Sequence, residues 1–117
     1  MASFAADALS LGVHWVYNIN QIQEKYGRLD KMAAPEIAVY HQSKNAGDFT
    51  HYGDQMMVLL ESVAGQKQFD PHDFSGRWQS LFESYKGYMD QATKATIDNI
   101  RSGKSMEMAG SVSSDLS

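Results

Sequence analysis

The stretch Asp70 to Tyr85, DPHDFSGRWQSLFESY, carries the strongest structural signal in the chain. Asp70 offers an N-cap side chain. Pro71 suits the first helical position, which needs no amide hydrogen, and Asp73 sets negative charge against the free amides and the positive end of the helix dipole. Behind this start, Phe74, Trp78, Leu81, Phe82 and Tyr85 recur at helical spacing, an aromatic stripe of the kind that packs a helix onto a core.

Working outward, Met56, Leu59, Leu60 and Val63 recur at i, i+3, i+4 and i+7, which predicts a buried-face helix with Asp54 as its cap, Gly53 in the preceding turn and Gly65 as terminator. Downstream, Met89 to Arg101 reads as a helix with a thin apolar face of Thr93, Ile97 and Ile100, stopped at Gly103. Near the start, Ala2 to Leu11 has strong helix composition with Phe4, Ala8 and Leu11 on one face, and a short helix capped by Asn18 or Asn20 ends at Tyr26-Gly27. Arg28 to Gly53 shows poor periodicity, apart from EIAVYH at Glu36 to His41, and is punctuated by Pro35 and Gly47, so it is expected to be a long loop. The Ser, Gly and Met-rich tail from Ser102 to Ser117 is expected to be a loop leading to further sequence.

The expected fold class is therefore all-α, a partial orthogonal helical bundle of about four to five helices with one long loop. Residues 1–117 are expected to form one domain, the N-terminal fragment of a larger all-α domain.

Ten basic against fourteen acidic residues give a net charge of -4, which supplies no electrostatic footprint for a nucleic-acid backbone or an anionic membrane. With no cysteine there is no disulfide, thiolate metal site or thiol nucleophile, which suits a reducing, cytoplasmic setting. The opening MASFAADALSLGVHWVY lacks a basic n-region and carries Asp7 amid its apolar residues, unlike a signal peptide. The longest strong apolar run, MMVLL at Met56 to Leu60, falls far short of the ~18 residues of a membrane span.

Two constellations can carry chemistry. In GDFTHYGDQ, Gly47 to Gln55, the side chains of Asp48, Thr50, His51 and Asp54 can offer oxygen or imidazole ligands to an ion, while Asp54 serves equally as a helix cap. In the other, Asp7 stands within an alanine-rich helix, where burial requires a partner, and His14 beside Trp15 can form an acid/base and stacking pair, or a satisfied polar residue beside the core anchors Trp15 and Tyr17. His41 and His72 read as structural or exposed.

The ordered pieces AADALSLGVHWVY, AGDFTHYGDQMMVLLESVA and FDPHDFSGRWQSLFESYKGYMDQATKATIDNIRSG resemble the N-terminal part of the ADP-ribosylglycohydrolase family, an all-α group that includes jellyfish lens crystallin relatives. The resemblance spans nearly the whole chain. It implies a helical bundle that holds a magnesium pair and hydrolyses the glycosidic bond of a small-molecule or ADP-ribosylated substrate. Asp7 matches the aspartate of the family's opening motif, and Asp54 the second aspartate of its Thr-Asp-Asp-Thr metal motif. Tyr52, Gly53 and Gln55 stand where the first threonine, first aspartate and last threonine would be.

By this resemblance His14 and His51 are the catalytic candidates, Asp7, Trp15 and Tyr52 contact substrate, and Asp54 is the metal ligand. One carboxylate and an amide replace two carboxylates and a hydroxyl poorly, so magnesium affinity is expected to drop or vanish. The isolated chain is expected to be inactive, with self-association or a C-terminal part completing it. The other reading is a non-catalytic, crystallin-like structural or ligand-binding relative.

Overall fold

The computed structural model describes residues 1–112, which contain helices, turns and loop, with no strand among them. The helices are α1 (Ala2–Ser10), which runs into a 3-10 turn at Leu11–Val13, α2 (Ile19–Tyr26), α3 (His51–Gln66), α4 (Pro71–Glu83), α5 (Gln91–Arg101) and α6 (Met106–Ala109). The all-α class expected from periodicity holds. The described helices number six rather than four or five because α6 forms in the tail expected to be loop. The last five residues of that expected loop, 113–117, lie outside the described residues. The chain divides into two compact units, Met1–Met56 with Lys86–Tyr88, and Met57–Tyr85 with the chain from Met89 onward.

In the first unit the core is built on α1. Phe4, Ala8 and Leu11, one turn apart, are all buried, and Phe4 meets Phe49 with ring centroids 5.3 Å apart. At Gly12 a methyl group would lie 3.0 Å from Ala33, so the small residue lets the long loop pass close to the end of α1. Asn18 caps α2 by accepting the amides of Asn20 and Gln21, and Gly27, at φ 62°, ends it. From there to Thr50 the chain has no helix, as its poor periodicity predicts. Side chains pin this loop instead: Tyr26 Oη donates to Ala34 O at 2.8 Å, Lys25 pairs with Glu36, and Lys44 pairs with Asp54.

In the second unit Asp70 caps α4, with Pro71 in its first turn, and its carboxylate accepts the amides of His72 and Asp73. The Asp73 carboxylate accepts from buried Ser62 Oγ at 2.7 Å and from Arg77 Nε at 2.7 Å, tying α3 to α4. These bonds hold the Asp73 carboxyl at about 2, the Ser62 hydroxyl first and the Arg77 guanidinium next. The aromatic stripe is only half-buried, its rings packing largely on one another: Trp78 against Phe82 at 4.6 Å, and Phe82 against Tyr85 at 5.1 Å. Asp90 caps α5, and Asn99 Nδ2 donates to Ala109 O at 2.9 Å, which docks α6 onto it.

Helix α3 departs from its expected orientation. Met56, Leu59, Leu60 and Val63 are 38, 37, 44 and 36% exposed, whereas His51, Val58 and Ser62 are buried. Periodicity places four apolar residues on one face but cannot say which face is covered. Here imidazole packing at His51 and the Ser62 to Asp73 bond turn the small, polar face inward. The helix also begins earlier than expected. Thr50 precedes it, and Thr50 Oγ1 accepts from Tyr52 N at 3.2 Å, while Asp54 lies inside the first turn with its amide donating to Thr50 O. Gly65 lies within α3, and the left-handed residue beyond its end is Lys67, at φ 62°.

Candidate functional site

The site is built from three segments of the first unit: the end of α1 with its 3-10 turn, the long loop, and the first turn of α3. Asp7, on α1, accepts from Thr50 N at 2.8 Å and from Thr50 Oγ1 at 2.6 Å, across 43 residues of sequence. A carboxylate at a helix N-terminus satisfies a free amide and meets the positive end of the dipole. Gly53 makes this approach possible. A methyl group there would stand 2.8 Å from Asp7 Cγ and 2.7 Å from Phe49 Cβ, closer than carbon atoms tolerate. The Asp7 carboxylate thus occupies the space that any side chain at position 53 would need.

Around this junction three imidazoles gather. His14 follows the 3-10 turn, His41 sits in the long loop, and His51 opens α3; His41 and His51 are 0 and 1% exposed, and His14 is half-buried. His14 Nδ1 and His41 Nε2 share a hydrogen bond at 2.7 Å, and the His41 and His51 rings stack at 5.6 Å. His41 Nδ1 is buried and finds no hydrogen-bond partner among the described residues. Burial first, then the neighbouring imidazoles, lower the His41 ring from its ordinary 6.5 to about 4. Burial also lowers His14, helped by His51 and opposed by Asp7. Both rings are therefore neutral at physiological pH, with nitrogen lone pairs available for a proton or an ion.

Aromatic rings wall the cluster. Trp15 packs edge-on against Tyr40 and Tyr88, each at 5.3 Å, and Tyr52 lies 3.9 Å from the His51 ring. Trp15 adopts φ 61°, a left-handed backbone that a bulky side chain enters at a cost of roughly 1–3 kcal/mol and that recurs where surroundings over-determine a functional residue.

Of the residues singled out in the sequence, Asp7, His14, Trp15, His51 and Tyr52 meet in this cluster. Asp54 forms an ion pair with Lys44 beside His41, and Tyr17, expected to be a core anchor, is 88% exposed instead, because it lies past the turn that carries Trp15 inward. His41 was expected to be structural or exposed, yet it lies at the centre; no spacing could have found it, because an irregular loop carries it there. Tyr40 and Tyr88 were likewise unmarked in sequence. Among the described residues no helix is long and apolar enough to cross a membrane.

No protein family model matches the chain, and no solved structure matches it. A protein of Archaeoglobus fulgidus described as uncharacterized is 30% identical to it over 106 residues, 89% of this chain and 33% of that protein. The chain thus spans about a third of the length of the relative it matches.

Proposed function

We propose that this chain is the N-terminal segment of an ADP-ribosylglycohydrolase-like protein that hydrolyses an ADP-ribosyl or related glycosidic bond. The supporting observation is the docking of Asp7 on the Thr50 turn, which joins the opening-motif aspartate to the segment matching the metal motif. Trp15, Tyr40, Tyr52 and Tyr88 form a stacking surface for a nucleobase or ring. The imidazole cluster activates water. An oxygen–carbon bond forms at the anomeric carbon as the glycosidic bond breaks, and the water's proton passes through the imidazoles to the leaving group.

The magnesium pair implied by the resemblance does not fit the side chains present. Asp54 is engaged by an ammonium, Gly53 has no ligand atom and no room for one, and Gln55 Nε2 donates to His51 O at 3.1 Å. An octahedral ion needs several hard oxygen ligands at about 2.1 Å.

The same Lys44 to Asp54 pair favours a second reading, a non-catalytic, crystallin-like structural or ligand-binding relative that uses its carboxylates for structure. Release of free ADP-ribose from ADP-ribosylated arginine and serine peptides separates the two. It is measured on this chain and on the longest product of its reading frame. The enzyme reading expects turnover in the longer product and a loss of about a hundred-fold or more in Asp7→Asn with circular dichroism unchanged. No release by either product leaves only the binding or structural relative.

A further inference from the structure

We infer that His14, His41 and His51 form a mononuclear site for a borderline transition-metal ion of the zinc, cobalt(II), nickel or copper(II) class, with a fourth position open to water. One ring nitrogen from each histidine lies within 4.8 Å of the others, and this is the one such group of three potential ligands among the described residues. Three imidazole nitrogens at about 2.0–2.1 Å around a tetrahedral ion stand roughly 3.3 Å from one another. The 2.7 Å contact between His14 and His41 must open slightly and the longer separations close by about 1.5 Å at most, within reach of side-chain rotation.

Donor chemistry sets the class of ion. Imidazole suits zinc, copper, nickel and iron, whereas magnesium and calcium require carboxylate, carbonyl or water oxygens. Three histidines with an open fourth position are the ligand set of a catalytic rather than a closed structural zinc site. On binding, the hydrogen bond between His14 and His41 breaks and its proton moves to the other nitrogen of the donating ring. These two rings therefore ligate without net proton loss. Asp7 and Asp54 lie close enough to act on His14 and His41, and their negative charge offsets that of a dication, with Lys44 opposing at His41.

The three ligands come from the residue that ends the 3-10 turn, the loop and α3, so an ion would clamp the long loop to the end of the 3-10 turn and to α3. Anything that binds only the folded arrangement raises stability by mass action. If the glycohydrolase reading holds, activation of the attacking water would fall to the bound ion instead of to the free imidazoles, since zinc lowers the pKa of its bound water to about 7. The metal site itself stands without that reading, and its test reads binding rather than turnover.

The chain, stripped with EDTA, is titrated with cobalt(II) and with zinc. The expected result is one ion per chain, visible cobalt(II) ligand-field bands of a four-coordinate site, and a thermal midpoint raised by zinc but not by magnesium. His14→Gln, at the half-buried position, is expected to keep its circular dichroism and weaken zinc binding by roughly a hundred-fold or more. His72→Gln, exposed on α4, should bind as the parent does.

Should the histidine variants fail to fold, imidazole nitrogen resonances of the parent protein decide, with three ring systems expected to shift together on adding zinc. The inference is overturned if less than one ion binds at millimolar zinc, if a folded His14→Gln binds within threefold of the parent, or if His72 is the ring that responds.

Discussion

Replacing Gly53 by alanine tests whether the Asp7 carboxylate fills the space beside the first turn of α3. In a helix interior this change ordinarily stabilises by about 1 kcal/mol. Here the added methyl group would stand 2.8 Å from Asp7 Cγ and 2.7 Å from Phe49 Cβ, so Asp7 must withdraw from Thr50. Withdrawal removes two hydrogen bonds to a charged acceptor, from Thr50 N at 2.8 Å and from Thr50 Oγ1 at 2.6 Å. Such bonds contribute about 1.5–3 kcal/mol each and less than their sum when they share one acceptor. Set against the propensity gain, a net loss of about 2–4 kcal/mol is expected, a fall in thermal midpoint of roughly 10 °C.

Gly76, inside α4, is the control, since a methyl group there meets nothing within 4 Å and alanine should raise stability by up to about 1 kcal/mol. Chemical and thermal denaturation followed by circular dichroism measure both variants. Repeating the Gly53 substitution in an Asp7→Ala background should shrink its cost, because the obstructing carboxylate is gone and the Phe49 contact alone remains. A Gly53→Ala protein as stable as its parent, or one whose penalty persists unchanged without Asp7, would refute the packing described.

Other measurements probe the rest of the molecule. His41 and His14 bind protons more readily unfolded than folded, so stability should be full above pH 6.5 and decline as pH falls from 6.5 towards 4, where His41 titrates, read as urea midpoints across that range. Asp73 adds a second acid-sensitive window, because its contribution is present above 3.8 and is lost as pH falls through about 2; Ser62→Ala should raise the Asp73 pKa, seen by carboxyl carbon NMR. Leu60→Gln should change folding stability by no more than about 0.5 kcal/mol, since the side chain is 44% exposed, and should lower any self-association seen by size-exclusion chromatography across concentrations. Millimolar magnesium should leave the thermal midpoint unmoved, because Lys44 already occupies the Asp54 carboxylate; a clear rise would restore Asp54 as a metal ligand.

How much of this was legible beforehand differs from element to element. Local physics wrote α4 almost completely, since Asp70 and Pro71 act within one turn and need no distant partner. The same holds for Asn18 and Gly27 around α2, and for Phe4, Ala8 and Leu11 on the buried side of the first unit. Asp7 advertised itself as a carboxylate needing a partner, and it has one in Thr50. The apolar stripe of α3 misled, because the face a helix buries depends on what surrounds it.

By itself, then, the sequence determined the helical class, the caps that start α2 and α4, the irregular loop, and five of the residues that meet at the candidate site. Only the tertiary structure decided that His41 joins His14 and His51, that Lys44 engages Asp54, and that Gly53 yields its side-chain space to Asp7. Caps and periodicity act over one or two turns and are written in neighbouring letters. A cluster assembled across a 3-10 turn, an irregular loop and a helix N-terminus has no spacing to read, because the path of the loop alone brings its members within reach.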